Sequence, residues 1–384
     1  MSKKPQSAQS EMKSRFSENI DRKTFVKSLA LAGAGLSLGS PRVFARGNQP
    51  EEVATIGIIG LDISHAPAFT ELINFPERGS ALANSGYKVV AAYPWGSRTI
   101  ETSYSRIPMY KVRMREMGIE IVDSIDELLA RVDYIMLLTN DGNLRLEQAL
   151  QVMEAGKPMF MDKPLAGNLA DCVAINEALD RHQVPAFTSS SLRFIDHARA
   201  VRHENKIGEV MGVEAYSPSL REPSHTDLFW YGIHGVETIY AVMGMGCQTV
   251  ARTEVRKTEV AVGVWDEDRI GTFRGLLMGE REDGGIAYGS DEGDPPTEIA
   301  TVDAYGGVAY GLRAVLPLGP YAGYQPLVVE IIDFFRSGIP PVSMEESLEI
   351  YTFMEAADAS KERGGEPVAL AEVLENAQYS VRQR

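Results

Sequence analysis

The sequence contains few cysteines and few basic residues for its length. Only two of its 384 residues are cysteine, too few for a disulfide framework or a cysteine-rich metal site. Cys172 and Cys247 are far apart in sequence; they could pair, but we expect two buried free thiols. Lysine and arginine number 38 against 53 aspartates and glutamates, which gives a formal charge of -15. A chain of this charge repels phosphate backbones, so nucleic-acid binding is not expected.

A long apolar run is also absent. The mildly apolar segment 28–39 is too short for a membrane-spanning helix, which needs about 20 residues. It follows a basic segment and precedes Val-Phe-Ala at 43–45, and this order of parts is typical of an export signal. Segment 21–27, Asp-Arg-Lys-Thr-Phe-Val-Lys, is similar to the twin-arginine export motif. We predict an export signal over residues 1–45, cleaved near Ala45; the alternatives are a disordered tail or a poor general-secretion signal. The mature protein is then expected to be periplasmic or extracellular, without a membrane anchor.

Short apolar runs alternate with helical segments from residue 53 onward. Buried strands are predicted at 53–60, 87–93, 133–138, 158–162 and 184–188. Ser64, Ser124 and Asn168 are each placed to cap the helix that follows. Strands separated by helices of this length indicate a parallel sheet with helices on both faces. We therefore predict a doubly wound α/β domain over residues 50–188.

The pattern changes after residue 188. Strand-like runs follow one another directly at 248–256, 259–265 and 269–277, and residues 266–268 are typical of a hairpin turn. Leu327, Ile331, Phe334 and Phe335 have helical spacing and form one apolar face. Segment 293–296, Gly-Asp-Pro-Pro, predicts an exposed acidic loop. We predict an α+β domain with a largely antiparallel open sheet over residues 189–384.

The turn after the first predicted strand reads Gly60-Leu-Asp62-Ile-Ser64-His65. A dinucleotide phosphate binds at such a turn in doubly wound domains. Of the glycines in G-x-G-x-x-G only Gly60 is present, because Asp62 and His65 stand at the other two positions. An ionised Asp62 repels a phosphate, which weakens the usual pose. Two interpretations remain open: Asp62, Ser64 and His65 form a polar cluster, or Asp62 and Ser64 cap the helix and His65 is a satisfied buried histidine.

Two further segments carry groups suited to proton transfer. Lys163 ends a predicted buried strand, where it points into the crevice that binds ligands, and burial makes lysine a usable acid or base. His234 and Glu237 are three residues apart and share a helix face. With His225 or Asp227 they could bind a metal, but we expect His234 to transfer protons and the others to cap the helix or line the pocket.

Together these segments resemble the glucose–fructose oxidoreductase / inositol dehydrogenase / rhizopine-catabolism (Gfo/Idh/MocA) family over residues 53–370. Four segments carry the resemblance: 56–60, 155–165, 232–234 and 354–361. The second matches the family's strand ending in E-K-P, with Asp162 in place of Glu, and the third matches the end of its D-x-G-x-H segment, with Trp230 in place of Asp. The leader and the altered phosphate loop are similar to a secreted bacterial subgroup.

The resemblance implies a Rossmann domain that binds NAD or NADP, followed by an α+β domain that binds a sugar or polyol and supports a homo-oligomer. Lys163 and His234 match catalytic residues. The expected cofactor-binding residues are Gly60, Asp62, Ser64, His65, Asn140, Asp162 and Lys163, and the expected substrate-binding residues are Lys163, Trp230, Tyr231 and His234. No metal is implied.

Our first hypothesis is thus an exported oxidoreductase that moves hydride between NAD(P) and a carbohydrate-type hydroxyl. The alternative is a carbohydrate-binding or regulatory protein that kept the fold and lost the redox step, with Phe229, Trp230 and Tyr231 as a stacking platform. Glycoside cleavage through transient oxidation is a third interpretation that the sequence does not separate from simple dehydrogenation.

Overall fold

The computed structural model describes residues 53–277 and 304–384. The predicted export signal at 1–45 and the predicted acidic loop at 293–296 lie outside the described residues. Within the two described ranges, none of the helices combines the length and the apolar character needed to cross a membrane.

A six-stranded parallel sheet forms the first half of the described chain, in the order β3-β2-β1-β4-β5-β6. Its strands are β1 (Ala54–Ile59), β2 (Tyr87–Tyr93), β3 (Glu120–Ile121), β4 (Tyr134–Leu137), β5 (Met159–Met161) and β6 (Ala186–Thr188). All five predicted strands are present, and β3 is an additional edge strand. The order reverses between β1 and β4, which is where a doubly wound sheet opens a ligand crevice at its carboxyl edge.

Helices connect these strands: α1 (His65–Asn74), α2 (Glu101–Tyr104), α3 (Ile107–Glu116), α4 (Ile125–Leu129), α5 (Arg145–Glu154) and α6 (Leu169–His182). Two predicted caps are confirmed, because Ser124 accepts from the N–H of Glu127 and Asn168 accepts from the N–H of Asp171. The predicted Ser64 cap is wrong: Ser64 already has helical backbone angles and makes no side-chain cap bond.

A second sheet of seven strands follows, in the order β12-β11-β7-β10-β9-β8-β13. Its strands are β7 (Val210–Pro218), β8 (Cys247–Val255), β9 (Thr258–Trp265), β10 (Ile270–Leu276), β11 (Gly306–Gly311), β12 (Val315–Pro317) and β13 (Val368–Ala369). Only β7 and β10 pair in parallel; the other pairs are antiparallel. The predicted fold class, a doubly wound domain followed by a largely antiparallel sheet, is confirmed. The boundaries 50–188 and 189–384 stay predictions.

The remaining helices are α7 (Asp196–Glu204), α8 (Asp227–Trp230), α9 (Ile233–Met243), α10 (Gln325–Ser337), α11 (Met344–Glu362) and α12 (Leu370–Arg382). Helices α9 and α11 pack on the second sheet. Helix α10 instead places Leu327, Ile331 and Phe334 in the core of the first sheet, beside Ile56 and Phe160. Full burial of such a side chain contributes about 1.5–3 kcal/mol. The predicted apolar face of α10 is confirmed, and it holds this helix beside the crevice.

Candidate active site

The turn after β1 is shaped by Gly60. Its φ of +95° is a left-handed conformation that favours glycine. A Cβ at this position would lie 2.6 Å from the backbone of Thr139, in the loop after β4. The two loops therefore meet across the switch point of the sheet only because residue 60 has no side chain.

The carboxylate of Asp62 lies beneath these loops and is fully buried. The N–H of Asn140 donates to its Oδ1 at 3.1 Å, and the N–H of Ser97 donates to its Oδ2 at 3.3 Å. Burial raises the pKa of Asp62 to about 6, although the two backbone hydrogen bonds oppose that rise. Asp62 therefore does not cap α1; it joins the loops that follow β1, β2 and β4. The side chain of Asn140 turns away and donates to Ser103 Oγ at 3.0 Å.

His65, the first residue of α1, pairs with Asp162 at the end of β5. The distance from His65 Nδ1 to Asp162 Oδ2 is 2.5 Å. Burial by itself raises the pKa of Asp162, but the charges of His65, Lys163 and Arg145 outweigh it and hold that pKa below its usual value. His65 is thus a buried and satisfied histidine, as one of our two interpretations has it, and its partner is Asp162 rather than Asp62.

Arg145 was not singled out from the sequence, yet it orders the crevice. Its guanidinium is fully buried and donates to the backbone carbonyls of Thr139, Asp162 and Lys163. These carbonyls belong to the segments that follow β4 and β5. One side chain therefore fixes both segments, and nothing in the local sequence around Arg145 indicates that role.

Lys163 and His234 both contact the ring of Tyr231. Lys163 Nζ is 5.4 Å from the centroid of that ring, and the His234 ring is 4.8 Å from it in an edge contact. Lys163 and His234 are each about 5% exposed. Burial, with the positive charges of Lys163 and His65, holds the pKa of His234 well below its usual value, so the imidazole is neutral at pH 7.

Ser190, after β6, orients this histidine. Its Oγ is 2.6 Å from His234 Nδ1, and its N–H donates to Glu237 Oε1 at 3.2 Å. Glu237 also accepts from Arg193 Nη1 at 2.9 Å. His234 and Glu237 share a helix face as predicted, and Ser190 joins them.

A row of half-buried tyrosines lines the crevice between His234 and His65. The hydroxyls of Tyr231 and Tyr305 are 3.0 Å apart, and the ring contacts continue through Tyr321 to Tyr324, which meets the His65 ring at 4.7 Å. Burial raises the pKa of Tyr305, Tyr321 and Tyr324. Sequence reasoning found only Tyr231, because the other three come from a segment without helical or strand periodicity.

Three polar atoms at the carboxyl edge of the sheet are buried and have no hydrogen-bond partner within the described residues. They are Thr139 Oγ1, Asp162 Oδ1 and Thr188 Oγ1, from the ends of β4, β5 and β6. A buried polar atom left unpaired costs about 1–3 kcal/mol, and such atoms in native proteins ordinarily meet water or a ligand. They mark the place where a polar ligand is expected.

His225 and Asp227, which were considered as metal ligands together with His234 and Glu237, have partners of other kinds. In the described part of the chain, no group of three or more His, Cys, Asp and Glu side chains is placed to hold a metal ion. Asp227 pairs with Lys361 and Arg252, and His225 Nε2 accepts from the N–H of Gly142 at 2.9 Å.

The aromatic residues of segment 229–231 do not form one platform. Phe229 is fully buried against Tyr351, with ring centroids 4.9 Å apart. Trp230 packs against His225 at 5.0 Å. Of the three, Tyr231 contacts both Lys163 and His234, so the expected stacking surface is reduced to a single ring at the crevice.

A second opening adjoins the crevice beyond Ser97. It is a cleft of about 660 Å³ between the loop after β2 and helix α3. Its lining comprises Trp95, Ser97, Arg98, Tyr104, Ile107, Pro108, Lys111 and Arg115. Because Ser97 also donates to Asp62, the cleft and the crevice meet at that carboxylate.

The strand order defines a Rossmann-type fold, with polar residues gathered in the crevice at its switch point. Residues 47–189 match the model of the Gfo/Idh/MocA oxidoreductase family, described as an NAD-binding Rossmann fold. The match covers little more than a third of the chain, and it agrees with the resemblance for these residues.

Individual proteins are similar to the chain at lower identity. An uncharacterised oxidoreductase of Streptococcus pneumoniae is 27% identical over 170 residues, which are 40% of this chain and 46% of the relative. The chain thus spans less than half the length of the curated relatives that it matches.

Solved structures show the same fold over most of the chain. A putative NADPH-dependent oxidoreductase from Desulfitobacterium hafniense has a TM-score of 0.62 and 16% identity, and the match covers 84% of this chain and 99% of that one. Scyllo-inositol dehydrogenase from Lactobacillus casei, solved with NAD(H) and scyllo-inositol, has a TM-score of 0.60 and 14% identity, covering 83% and 100%.

Proposed function

We propose that the protein is an NAD(P)-dependent oxidoreductase that acts on a hydroxyl group of a sugar or polyol. The observation that carries this proposal is the meeting of Lys163 and His234 at the ring of Tyr231, next to the unpaired Oδ1 of Asp162. Lys163 follows strand β5 of the first sheet, and His234 lies on helix α9, which packs on the second sheet. Both side chains are almost completely buried. A buried cation and a neutral base that share one crevice are suited to binding and deprotonating a hydroxyl group.

His234 is the proton acceptor in this scheme. Its lowered pKa keeps it neutral at pH 7, and Ser190 engages Nδ1, so proton exchange with the hydroxyl falls to Nε2. Lys163 binds the hydroxyl oxygen and stabilises the negative charge that develops as the proton leaves. The phenols of Tyr231 and Tyr305 exclude water from this end of the crevice.

The crevice fits a dinucleotide at both of its ends. The cleft beside β2 has room for an adenosine, and the unpaired polar atoms of Asp162, Thr139 and Thr188 offer partners for a polar ligand beside Lys163. A nicotinamide held there would supply the hydride acceptor that no side chain provides. The loop between the two ends diverges from the usual glycine-rich sequence: Asp62 is turned inward to the N–H groups of Ser97 and Asn140. A pyrophosphate therefore passes over a buried carboxylate rather than over a glycine.

The neighbouring proteins support the substrate class. The Lactobacillus casei structure contains a cyclic polyol together with NAD(H), and its fold matches that of this chain. We further propose that residues 1–45 direct export, so that the oxidoreductase works outside the cytoplasm, and that the protein is a homo-oligomer.

Dinucleotide retention provides the test. Native mass spectrometry of the gently purified chain, and titration with NAD and NADP up to millimolar concentration, should detect one dinucleotide per chain. Absorbance at 340 nm should then rise when cyclitols and sugars are supplied at pH 8. His234→Gln should abolish the absorbance change and leave dinucleotide binding intact, whereas His203→Gln, at an exposed histidine, should change neither. Absence of dinucleotide binding by both methods would refute the proposal.

A binding protein without redox activity is the second candidate. The specific observation in its favour is the buried carboxylate of Asp62 at the place of a phosphate-loop glycine. Calorimetry against a glycan panel, with and without NAD(P), separates the two candidates. Glycan binding that is unaffected by dinucleotide, in a chain that binds no dinucleotide, would favour this second function.

A further inference from the structure

The cleft beside β2 is positively charged in an acidic protein. Arg98, Lys111 and Arg115 line it, and its lining includes no aspartate or glutamate. Within the described part of the chain, none of the three is paired with a carboxylate. The whole sequence carries a formal charge of -15, so three cations gathered around one opening indicate an anionic ligand.

The arrangement of these cations follows from helix α3. Ile107, Lys111 and Arg115 are spaced four residues apart and share one face of the helix. Like charges at this spacing destabilise a helix by about 0.2–0.5 kcal/mol, a cost that an anion in the cleft would offset. Arg113, on another face of the same helix, pairs with Glu71 at 3.1 Å, so it is compensated within the protein.

An aromatic surface accompanies the charge. Trp95 is 46% exposed, and Lys111 Nζ lies 5.3 Å from the centroid of its ring. Exposed indole beside cations suits a ligand that combines an aromatic base with a phosphate.

The position of the cleft identifies which phosphate it meets. In a doubly wound domain, the residues after the second strand lie against the adenosine ribose: an acid there binds the 2′-hydroxyl of NAD, whereas an arginine accommodates the 2′-phosphate of NADP. Here β2 ends at Tyr93, and Pro94 and Trp95 follow without an acid. Arg98 is the first charged residue after the strand.

We infer that the cleft formed by Trp95, Arg98, Lys111 and Arg115 binds the 2′-phosphate of NADP and makes the protein selective for NADP over NAD. This inference rests on the proposed function, because it assumes that a dinucleotide occupies the crevice. Asp62 opposes the pyrophosphate of both cofactors equally, so the selectivity comes from the cations of the cleft.

Titration of the purified full chain with NADP, NAD, adenosine 2′,5′-bisphosphate and 5′-AMP tests the inference, with tryptophan fluorescence as the signal. We expect NADP to bind at least tenfold more tightly than NAD, and the bisphosphate to bind more tightly than AMP. Arg98→Ala should weaken NADP binding about tenfold, the loss expected for one charge-assisted hydrogen bond, and leave NAD binding within twofold. Arg113→Ala is the matched control on α3 and should leave both affinities unchanged.

The outcomes separate this inference from the proposed function. Equal affinities for NAD and NADP, or tighter binding of NAD, would overturn the inference and leave the oxidoreductase proposal standing. Binding of the bisphosphate without binding of either dinucleotide would overturn both the inference and the proposed function. If Arg98→Ala weakens NAD and NADP equally, Arg98 does not contact the 2′-phosphate and the inference fails.

Discussion

Single side chains decide how the crevice differs from a glycine-rich phosphate loop, and Asp62 is the clearest case. Its carboxylate satisfies two backbone N–H groups and fills space that a larger residue 96 would need, because a Cβ at Gly96 would lie 1.9 Å from Asp62 Oδ2. Replacing Asp62 with glycine would leave both N–H groups without this acceptor, at a cost of about 1–3 kcal/mol each if they stay buried. Asparagine keeps an acceptor oxygen and removes the charge, so it is the sharper substitution.

Dinucleotide binding should therefore depend on pH through Asp62. With its pKa raised to about 6, the carboxyl is ionised at pH 8 and protonated at pH 5. A pyrophosphate favours the protonated form, so affinity should increase as pH falls through 6, by about tenfold. Asp62→Asn should bind at pH 8 as tightly as the wild type binds at pH 5, with no pH dependence. NAD is the suitable ligand for this calorimetric titration, because a 2′-phosphate itself titrates near pH 6.

Asp126→Asn, at an exposed carboxylate on α4, controls for a general effect of charge. A wild-type affinity for NAD that is constant between pH 5 and 8 would show that the pyrophosphate does not pass near Asp62.

The sequence identified the crevice residues better than it identified their partners. Lys163 and His234 were predicted from their motifs, and both lie in the crevice. The pairing of His65 with Asp162, and of Asp62 with the loop N–H groups, depends on which strand ends are neighbours in the sheet. That information is not local, so neither pairing could be predicted from the sequence.

Elements with strong periodicity were predictable, and elements that pack closely were not. Strand β7 was missed because two of the residues on its buried face, Ala215 and Ser217, are small. They are small because the helix lies close to the sheet, since a Cβ at Gly235 would come within 2.4 Å of Phe273. Close packing thus removes the apolar signal that predicts a strand. For α10 the spacing predicted the buried face, but not that this face covers the first sheet.

Helix α11 is tied to the start of β8 by a buried carboxyl group. Glu349 Oε1 accepts from the N–H of Gly246 at 2.7 Å, the N–H of Cys247 at 2.9 Å and the hydroxyl of Tyr240 at 3.2 Å. Burial raises the pKa of Glu349 from 4.5 to about 7, against these hydrogen bonds. The folded state therefore favours the protonated form.

Because the pKa of Glu349 is raised in the folded state, the free energy of unfolding should fall as pH rises. A carboxyl whose pKa is raised on folding destabilises the protein increasingly from pH 4.5 up through 7, and the penalty reaches about 3 kcal/mol at pH 8. Glu349→Gln removes the titration and keeps the acceptor oxygen. In urea unfolding, the variant should match the wild type near pH 4 and exceed its free energy of unfolding at pH 8 by up to about 3 kcal/mol. Glu345→Gln, exposed in the first turn of the same helix, should show no such pH-dependent gain, and an equal difference at both pH values would contradict the assignment.

Among the residues that the structure describes, no helix covers one face of the second sheet. Helices α9 and α11 cover the other face, and side chains that alternate with the buried ones point away from them. Ile270 pairs directly with Val264 across β10 and β9, and the two are 49% and 40% exposed. Tyr310 on β11 is 37% exposed on the same sheet. Contiguous exposed apolar residues on a sheet are typical of a protein–protein interface.

We expect a second copy of the chain to cover this face, as a homo-oligomer. In sedimentation velocity at micromolar concentration, the wild type should sediment as a dimer or a larger assembly. The double variant Val264→Lys with Ile270→Glu places opposite charges on directly paired positions, which preserves the strand pairing but makes apolar contact with a partner unfavourable. It should sediment as a monomer and keep its dinucleotide affinity, because these residues lie on the second sheet and the crevice lies on the first. Ile339→Lys, a substitution at a residue 72% exposed just after α10, should leave the assembly intact. A wild-type protein that sediments as a monomer would leave the open face without the partner proposed for it.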